Sequence, residues 1–235
     1  MTSQCQQTVN LKSKSSRMAA MLGEMRRMMN GAVVGSMCFY GAEYGLNYGV
    51  SLPTIRDIAK SELSKECDSV ANHALSRLLY RQEVRELRLA ALWLADLSAI
   101  SSAADFAFWF DGIINSEVAE EAAFALFGRS ESLSIVEALL QQKGDNSELL
   151  HYCAALTMAQ CKAGFAAVNG VWGSVVTLLS SEYNLLPKGV VVMLESLIKQ
   201  DVPSADIESL VAQIPEDCKA KSFINEEISW RLEFR

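Results

Sequence analysis

Apolar residues recur at intervals of three and four along most of the chain, and this period predicts amphipathic α-helices. A first helix can be capped by Ser15 or Ser16, and a second begins at Ser51 with Pro53 in its first turn, after a glycine-punctuated loop that starts at residue 41. Further helical segments are predicted at residues 69–80, 83–97, 103–114, 115–127, 132–142, 147–161, 165–182, 187–199 and 204–213. No alternating β-branched run is bounded by hairpin turns, so the sequence predicts an all-α fold.

The predicted helices pair into hairpins of roughly 35 to 45 residues, which is the period of HEAT-like repeats. Stacked hairpins of this kind form an α-solenoid, whose concave face is lined by one helix from each hairpin. No segment rich in Pro, Gly and Ser divides the chain. We therefore predict a polar N-terminal tail at residues 1–14 and a single helical-repeat domain at residues 15–235.

Composition narrows the class of protein. At 235 residues and 50% hydrophobic content, the chain can bury one sizeable core. Charge interrupts its apolar runs before the ~18 residues that a membrane span needs, and its first residues are polar, so we expect a cytoplasmic protein without membrane contact. Six cysteines form no CxxC pair and two histidines supply no zinc spacing. We therefore expect reduced thiols and no metal site.

The net charge of −7 disfavours a general nucleic-acid binder, because such binding depends on Lys and Arg neutralising phosphates. The charge is unevenly distributed. Residues 1–100 contain 12 Lys and Arg against 9 Asp and Glu, whereas residues 101–235 contain 9 against 19. A polyanion would therefore meet the first half of the chain.

Four arginines in that half are spaced by four, four and three residues: Arg77, Arg81, Arg85 and Arg88. A continuous helix would align them, whereas a turn at residues 80–82 would divide them between two helices. Alternation with Glu83 and Glu86 favours a solvated face. The alternative is that Arg81, Arg85 and Arg88 contact DNA phosphates at the lip of the concave face.

Three glutamates lie in the apolar segment FWFDGIINSEVAEEAAFALFG, residues 108–128. At helical period its apolar stripe consists of Ile113, Ala119, Ala122, Ala123, Leu126 and Phe127. Glu117, Glu120, Glu121 and Phe124 fall together on the opposite side. A face with three glutamates is most often simply solvated, and the alternative is that it has a chemical role.

The segment NYGVSLPTIRDIAK, residues 47–60, resembles the entry motif of the HEAT-like DNA alkylation repair family. That motif has a Gly-Val pair, a Pro and an Arg-x-(Ile/Leu)-Ala-Lys run, and the matching residues are Gly49, Val50, Pro53, Arg56, Ile58, Ala59 and Lys60. The segments EVRELRLAALWLADL, residues 83–97, and IINSEVAEEAAFALF, residues 113–127, resemble later helices of the family. The resemblance covers about residues 40 to 200.

The resemblance implies an activity and a kind of site. Active members of the family remove positively charged purines, alkylated at N3 or N7, from DNA without a metal or other cofactor. The glycosidic bond breaks toward an oxocarbenium-like sugar, so a fixed carboxylate stabilises the developing charge and can orient the attacking water. Two Trp of the family's cleft stack against the cationic base and sugar, and a nearby Arg holds the DNA backbone.

Carried over residue by residue, the resemblance implies a cleft made of Asn115, Ser116, Glu117, His151 and Val192. The family's catalytic Asp falls on Glu120, which keeps the carboxylate one methylene longer. Its two Trp fall on Ser116 and Val192, so both aromatic walls are missing, while Lys188 matches the family's Lys. The implied active site is therefore degenerate.

The Arg of the family falls on His151, or on Leu150 if the register slips by one residue. An interior, hydrogen-bonded imidazole is the more common role for a histidine in such a helix. Trp109 lies among three phenylalanines and Trp93 lies in an Ala/Leu-rich run, so we interpret both as core residues.

Three hypotheses from different classes follow. The first is a divergent alkylpurine DNA glycosylase, monofunctional and metal-independent, that uses Glu120. The second is a non-catalytic relative that keeps the scaffold and binds double-stranded DNA, damaged or of unusual shape, through its basic first half; across these two hypotheses we expect DNA binding with weak or lost base excision. The third is a protein-interaction helical-repeat scaffold without nucleic-acid binding, which the acidic second half favours.

Overall fold

A computed structural model describes residues 2–37, 44–129, 133–181 and 183–234. Within these ranges the α-helices are α1 Thr2–Arg27, α2 Gly31–Met37, α3 Leu52–Lys65, α4 Ser69–Tyr80, α5 Arg85–Leu94, α6 Ala103–Asp111, α7 Ser116–Ala125, α8 Ser134–Leu140, α9 Ser147–Gln160, α10 Phe165–Leu179, α11 Leu186–Lys199, α12 Ser204–Ala212 and α13 Ala220–Glu233. The described residues form no strand beyond an isolated bridge between Leu46 and Val84. The all-α prediction is confirmed.

The helices α4–α12 match the predicted segments to within a few residues. Residues 132 and 182 of those segments, and residues 41–43 of the predicted loop, lie outside the described residues. The predicted cap at Ser15 or Ser16 is wrong, because α1 begins at Thr2 and includes both serines. Residues 2–14 are mostly polar, so they lack the apolar period on which that prediction rested.

The chain forms two compact units, residues 1–101 and residues 102–235. The single domain at residues 15–235 stays a prediction. In the first unit, α1 packs on α3, α4 and α5, and α5 packs on both α3 and α4. Met21 and Met25 of α1 are buried, whereas Met28 and Met29, just after the helix, are exposed. The methionines of this segment therefore belong to the core only as far as Met25.

The segment before α3 is held by a buried ion pair. The Glu86 carboxylate, 0% exposed, accepts hydrogen bonds from the backbone N–H of Tyr48 at 3.1 Å and of Val50 at 3.2 Å. Arg85 Nη1 donates to the Val50 carbonyl at 2.8 Å and to Glu86 Oε1 at 3.2 Å. Gly49 between them has φ +71°, and a Cβ there would clash with the carbonyl of Asn30. Glycine is therefore required at this position.

The start of α3 follows the predicted capping pattern. Ser51 Oγ accepts from the backbone N–H of Thr54, and Pro53 lies in the first turn. Ile55, Ile58 and Ala59 are buried against the rest of the unit.

In the second unit, α7, α9, α11 and α13 pack in that order, and α6, α8 and α10 pack as a second row. Side-chain hydrogen bonds to helix carbonyls recur at similar separations along the chain, two of them from another helix and one from the segment between α12 and α13. They join Ser196 to the carbonyl of Ala159, 37 residues away, Trp172 to that of Leu210, 38 residues away, and Cys218 to that of Leu179, 39 residues away. Among the described residues, no helix combines the length and apolar character needed to cross a bilayer.

The buried ion pair of the first unit predicts a large effect of Glu86→Gln. The amide keeps the shape but leaves the Arg85 charge uncompensated, so we expect a loss of about 3 to 5 kcal/mol in the free energy of unfolding, measured by urea titration. The matched control is Glu83→Gln, an exposed carboxylate three residues earlier, which should cost less than about 0.5 kcal/mol. Equal effects of the two variants would contradict a structural role for the pair.

Candidate functional site

Helix α7 presents one carboxylate of the predicted face to solvent. Asn115 caps the helix, because its Oδ1 accepts from the backbone N–H of Val118 at 2.9 Å. The predicted apolar stripe is buried, and Glu120 and Phe124 are exposed one turn apart. The prediction that Glu121 shares this face is wrong, because its side chain is 3% exposed and lies on the buried side of the helix. A position 100° around the helix from Glu120 can fall on either side of the boundary.

Tyr152 of α9 holds the Glu120 carboxylate. Its hydroxyl donates to Glu120 Oε1 at 3.0 Å, and its side chain is largely buried. Burial raises the pKa of the Tyr152 phenol well above its usual range, and the negative charge of Glu120 and the hydrogen bond raise it further. The phenol therefore stays protonated and remains a donor at physiological pH. One carboxylate oxygen is fixed by this bond.

A glycine in α11 makes room for the Tyr152 ring. A Cβ on Gly189 would lie 2.8 Å from Cδ2 of Tyr152 and 3.1 Å from Cβ of Ala155, both closer than ordinary contacts. The backbone of α11 therefore packs directly against the ring. Gly189, Tyr152 and Glu120 connect three successive helices of one row, α11, α9 and α7.

His151 is an interior, hydrogen-bonded imidazole, which is the more common role for a histidine in such a helix. It is 1% exposed, and its Nε2 is 3.0 Å from the carbonyl of Gln142. Burial lowers the pKa of the imidazole, against an opposing effect of the bond to Gln142, so the ring is neutral near pH 7. Leu150 is also buried. The side chain that bonds to Glu120 is Tyr152, one position after the residue that the resemblance indicated.

The two positions of the missing tryptophans differ in exposure. Ser116 is the first residue of α7 and is half-buried, and Val192 of α11 is 39% exposed. Trp109 packs edge-on to Phe108, with ring centroids 5.2 Å apart, and is fully buried, which confirms it as a core residue. Trp172 is also buried. Neither indole can replace an aromatic wall.

The arginines of the first unit are divided between two helices, as one alternative predicted. Helix α4 ends at Tyr80 and α5 begins at Arg85. Arg81 is exposed, and Arg88 is half-buried with Nη2 3.2 Å from the carbonyl of Gln82. Arg85 is 2% exposed and bound to Val50 and Glu86, so the structure corrects its prediction as a phosphate contact. The sequence alone does not distinguish a buried arginine that has fixed partners from an arginine on the surface.

Two further predicted residues lie in the second unit. Lys188 is exposed in the first turn of α11, at the edge of a cavity that Tyr183 and Phe223 also line. Glu117 is half-buried in the first turn of α7. Among the described residues, no group of three His, Cys, Asp or Glu side chains is arranged to hold a metal ion.

Comparison with known families gives one match. A family model described as DNA alkylation repair enzyme matches residues 21–206. The match includes the segment before α3 and the helices that contain Glu120, Tyr152 and Gly189, and it ends within α12. No curated protein and no solved structure matches the chain.

The contact between Gly189 and Tyr152 predicts opposite effects for two Gly→Ala substitutions. Gly173→Ala adds a methyl group in open space within α10, so we expect a gain of up to about 1 kcal/mol in the free energy of unfolding from helix propensity. Gly189→Ala forces Tyr152 and Ala155 to move, and we expect a loss of about 1 to 3 kcal/mol. Urea titration measures both, and a stabilising Gly189→Ala would show that α11 does not constrain the ring.

Proposed function

Because the chain belongs to the DNA alkylation repair enzyme family, we propose that it binds damaged or distorted double-stranded DNA and has weak or lost base-excision activity. The observation on which the proposal rests is Glu120, an exposed carboxylate within the family match that is held by Tyr152. We assign Glu120 as the catalytic residue of any activity that remains and Tyr152 as its positioning residue.

The chemistry follows from the orientation of the carboxylate. Glu120 Oε1 accepts the hydrogen bond from Tyr152, so Oε2 can face the positive charge that develops on the sugar or orient a water. A phenol is neutral, so it brings no positive charge to the carboxylate. Glu120 therefore retains the electrostatic part of the family's site without a cofactor.

The loss of aromatic walls supports weak excision. Ser116 and Val192 cannot stack on a cationic base, and cation–π contacts of that kind are worth roughly 1 to 2 kcal/mol each when desolvated. Losing two of them corresponds to roughly thirtyfold to a thousandfold in rate. The longer Glu side chain moves the carboxylate by about a bond length, and a misplacement of ~1 Å can cost ~100-fold by itself.

The proposal includes a HEAT-like arrangement for the second unit. The two rows of packed helices, and the hydrogen bonds between residues 37 to 39 positions apart, support a stack of similar helical hairpins. In such a stack Glu120, Tyr152 and Val192 would belong to equivalent helices of successive hairpins.

A second candidate function is a protein-interaction scaffold. Residues 101–235 contain 9 basic against 19 acidic residues, and this excess of negative charge repels DNA. Trp230 of α13 and Phe234, just after the helix, are exposed, and their ring centroids are 5.4 Å apart. Exposed aromatic pairs are common in protein interfaces. Absence of both DNA binding and base release would favour this candidate.

We expect excision of 7-methylguanine to be absent or much slower than in typical members of the family, and any residual release to depend on Glu120. The measurement is release of methylated base from a defined duplex by wild type, Glu120→Gln and Tyr152→Phe. Glu120→Gln removes the charge but keeps the shape, and Tyr152→Phe removes the hydrogen bond but keeps the ring. Rapid wild-type release would show that the aromatic walls are dispensable, and equal release by wild type and Glu120→Gln would exclude Glu120 from the mechanism.

We also expect salt-sensitive DNA binding through Arg81, Arg88 and Lys188. Each lost phosphate contact should reduce the slope of log affinity against log salt by roughly 0.9. Single Ala substitutions at these positions are measured by fluorescence anisotropy with a duplex. Lys199→Ala is the control, because Lys199 already forms an ion pair with Glu195 at 2.7 Å. If all four variants bind like wild type, these cations belong to a solvated surface.

A further inference from the structure

Helix α13 and the residue that follows it carry a row of exposed aromatic side chains. Phe223, Trp230 and Phe234 are 40%, 59% and 71% exposed. They are spaced by seven and four residues, so they lie along one side of the helix, and we call this row the aromatic stripe. We propose that the aromatic stripe is a docking surface for a basic, amphipathic segment of a partner protein. The inference rests on the scaffold candidate, to which it adds a surface and a partner chemistry, and does not depend on DNA binding.

The aromatic stripe lies beside the face by which α13 is packed. Ile224 and Ile228 are buried, and α13 packs on α11 and α12. Around the helix, Phe223 is about 100° from Ile224 and Trp230 is about 160° from Ile228. Scattered exposed apolar side chains are ordinary, whereas several along one side of a helix form a patch of the kind that marks an interaction site.

Two glutamates border the aromatic stripe at the end that contains Trp230. Glu226 and Glu233 are exposed, and neither forms an ion pair within the part of the chain that the structure describes. Both lie within about 60° of Trp230 around the helix. The last carbonyls of α13, which ends at Glu233, add partial negative charge at the same end. Negative charge is therefore concentrated beside the most exposed rings.

The described cation that is closest in sequence to Trp230 is already compensated. The Arg231 guanidinium is bonded to Glu227, one turn earlier, and its Nε lies 3.4 Å from Glu195 of α11. Its Cζ is 5.8 Å from the centroid of the Trp230 ring, and the indole is still more than half exposed. Lys219 lies just before α13, at the opposite end of the stripe. The charges of the two bordering glutamates therefore stay available to a partner.

A basic amphipathic segment matches both features of this surface. Its apolar side chains would cover the aromatic rings, and its Lys or Arg side chains would extend to Glu226 and Glu233. A second copy of the chain is a poorer match, because its own stripe has the same acidic border and like charges repel across an interface. Trp is among the residues that contribute most when an interface buries them, so Trp230 is the expected anchor.

The first test uses two labelled synthetic peptides with the same leucines at amphipathic helical spacing, one with lysines and one with glutamates at the polar positions. We expect the full chain to bind the lysine peptide and not the glutamate peptide, measured by fluorescence anisotropy. Trp230→Ser/Phe234→Ser should weaken binding of the lysine peptide by about tenfold or more, because it removes the aromatic anchors. Circular dichroism checks that the variant is folded. Unaltered binding by the folded variant would overturn the site.

The second test reverses the charge of the border. Glu226→Lys/Glu233→Lys should bind the lysine peptide about tenfold more weakly and should gain binding of the glutamate peptide. The matched control is Asp111→Lys/Asp145→Lys, which makes the same change in net charge at two exposed positions outside α13 and should bind like wild type. Equal losses in the two variants would show a general attraction to an acidic protein and would overturn the site.

Quenching of tryptophan fluorescence by acrylamide locates the bound peptide. Trp109 and Trp172 are buried, and Trp93 is half-buried, which corrects its interpretation as a core residue. Trp230 is therefore the most accessible indole, and we expect the lysine peptide to protect it. Binding of the peptide without protection would overturn the site.

Analytical ultracentrifugation distinguishes the other possible occupant. We expect no dimer that depends on the aromatic stripe, and a wild-type dimer that Trp230→Ser/Phe234→Ser dissociates would identify a second copy and overturn the proposal. Duplex binding by the same proteins is measured separately. Loss of the docking surface with intact duplex binding would leave the proposed DNA-binding function in place, and the reverse result would leave the docking surface in place.

Discussion

The first unit depends on one buried carboxylate. Glu86 is fully removed from water, and its charge is stabilised by two backbone N–H groups of the segment before α3 and by the adjacent Arg85. Each partner is needed, because an uncompensated charge in this environment would be costly. The start of α5, the turn at Gly49 and the start of α3 are therefore placed together. Gly49 and Val50, which match the family motif, are among the residues that hold these segments together.

In the second unit the polar contact is of a different kind, because the group that binds the Glu120 carboxylate carries no charge. The resemblance implies an arginine near the catalytic carboxylate, but the group that bonds to Glu120 is the neutral phenol of Tyr152. A guanidinium would neutralise the carboxylate and could hold a phosphate, whereas a phenol does neither. Under the proposed function, such a site would favour a cationic base or sugar over the DNA backbone. The same proposal then assigns contacts with the backbone to other cations of the chain.

Sequence periodicity identified most helices but few of the contacts between them. The helix α4 has the predicted bounds because its apolar period is clear, whereas α13 has buried isoleucines only at Ile224 and Ile228 and was not predicted. Glu120 was placed on the exposed face correctly, since the stripe opposite it is strongly apolar. The bond to Tyr152 joins residues 32 positions apart and depends on the missing side chain of Gly189, so no local pattern could indicate it. The burial of Arg85 likewise depends on a distant partner, the carbonyl of Val50, so no local pattern indicates it.

The row order α7, α9, α11 and α13 has a consequence for how the second unit opens. Helices that pack on their neighbours in a row can separate at one interface while the next interface persists. Detachment of α13 removes its contacts with α11 and α12 but leaves α9 between α7 and α11. Fraying of α13 at the far end of the row therefore leaves the contacts around Glu120 in place. A fluorophore or fusion partner attached after α13 would stand two helices away from Tyr152 and would leave that environment undisturbed.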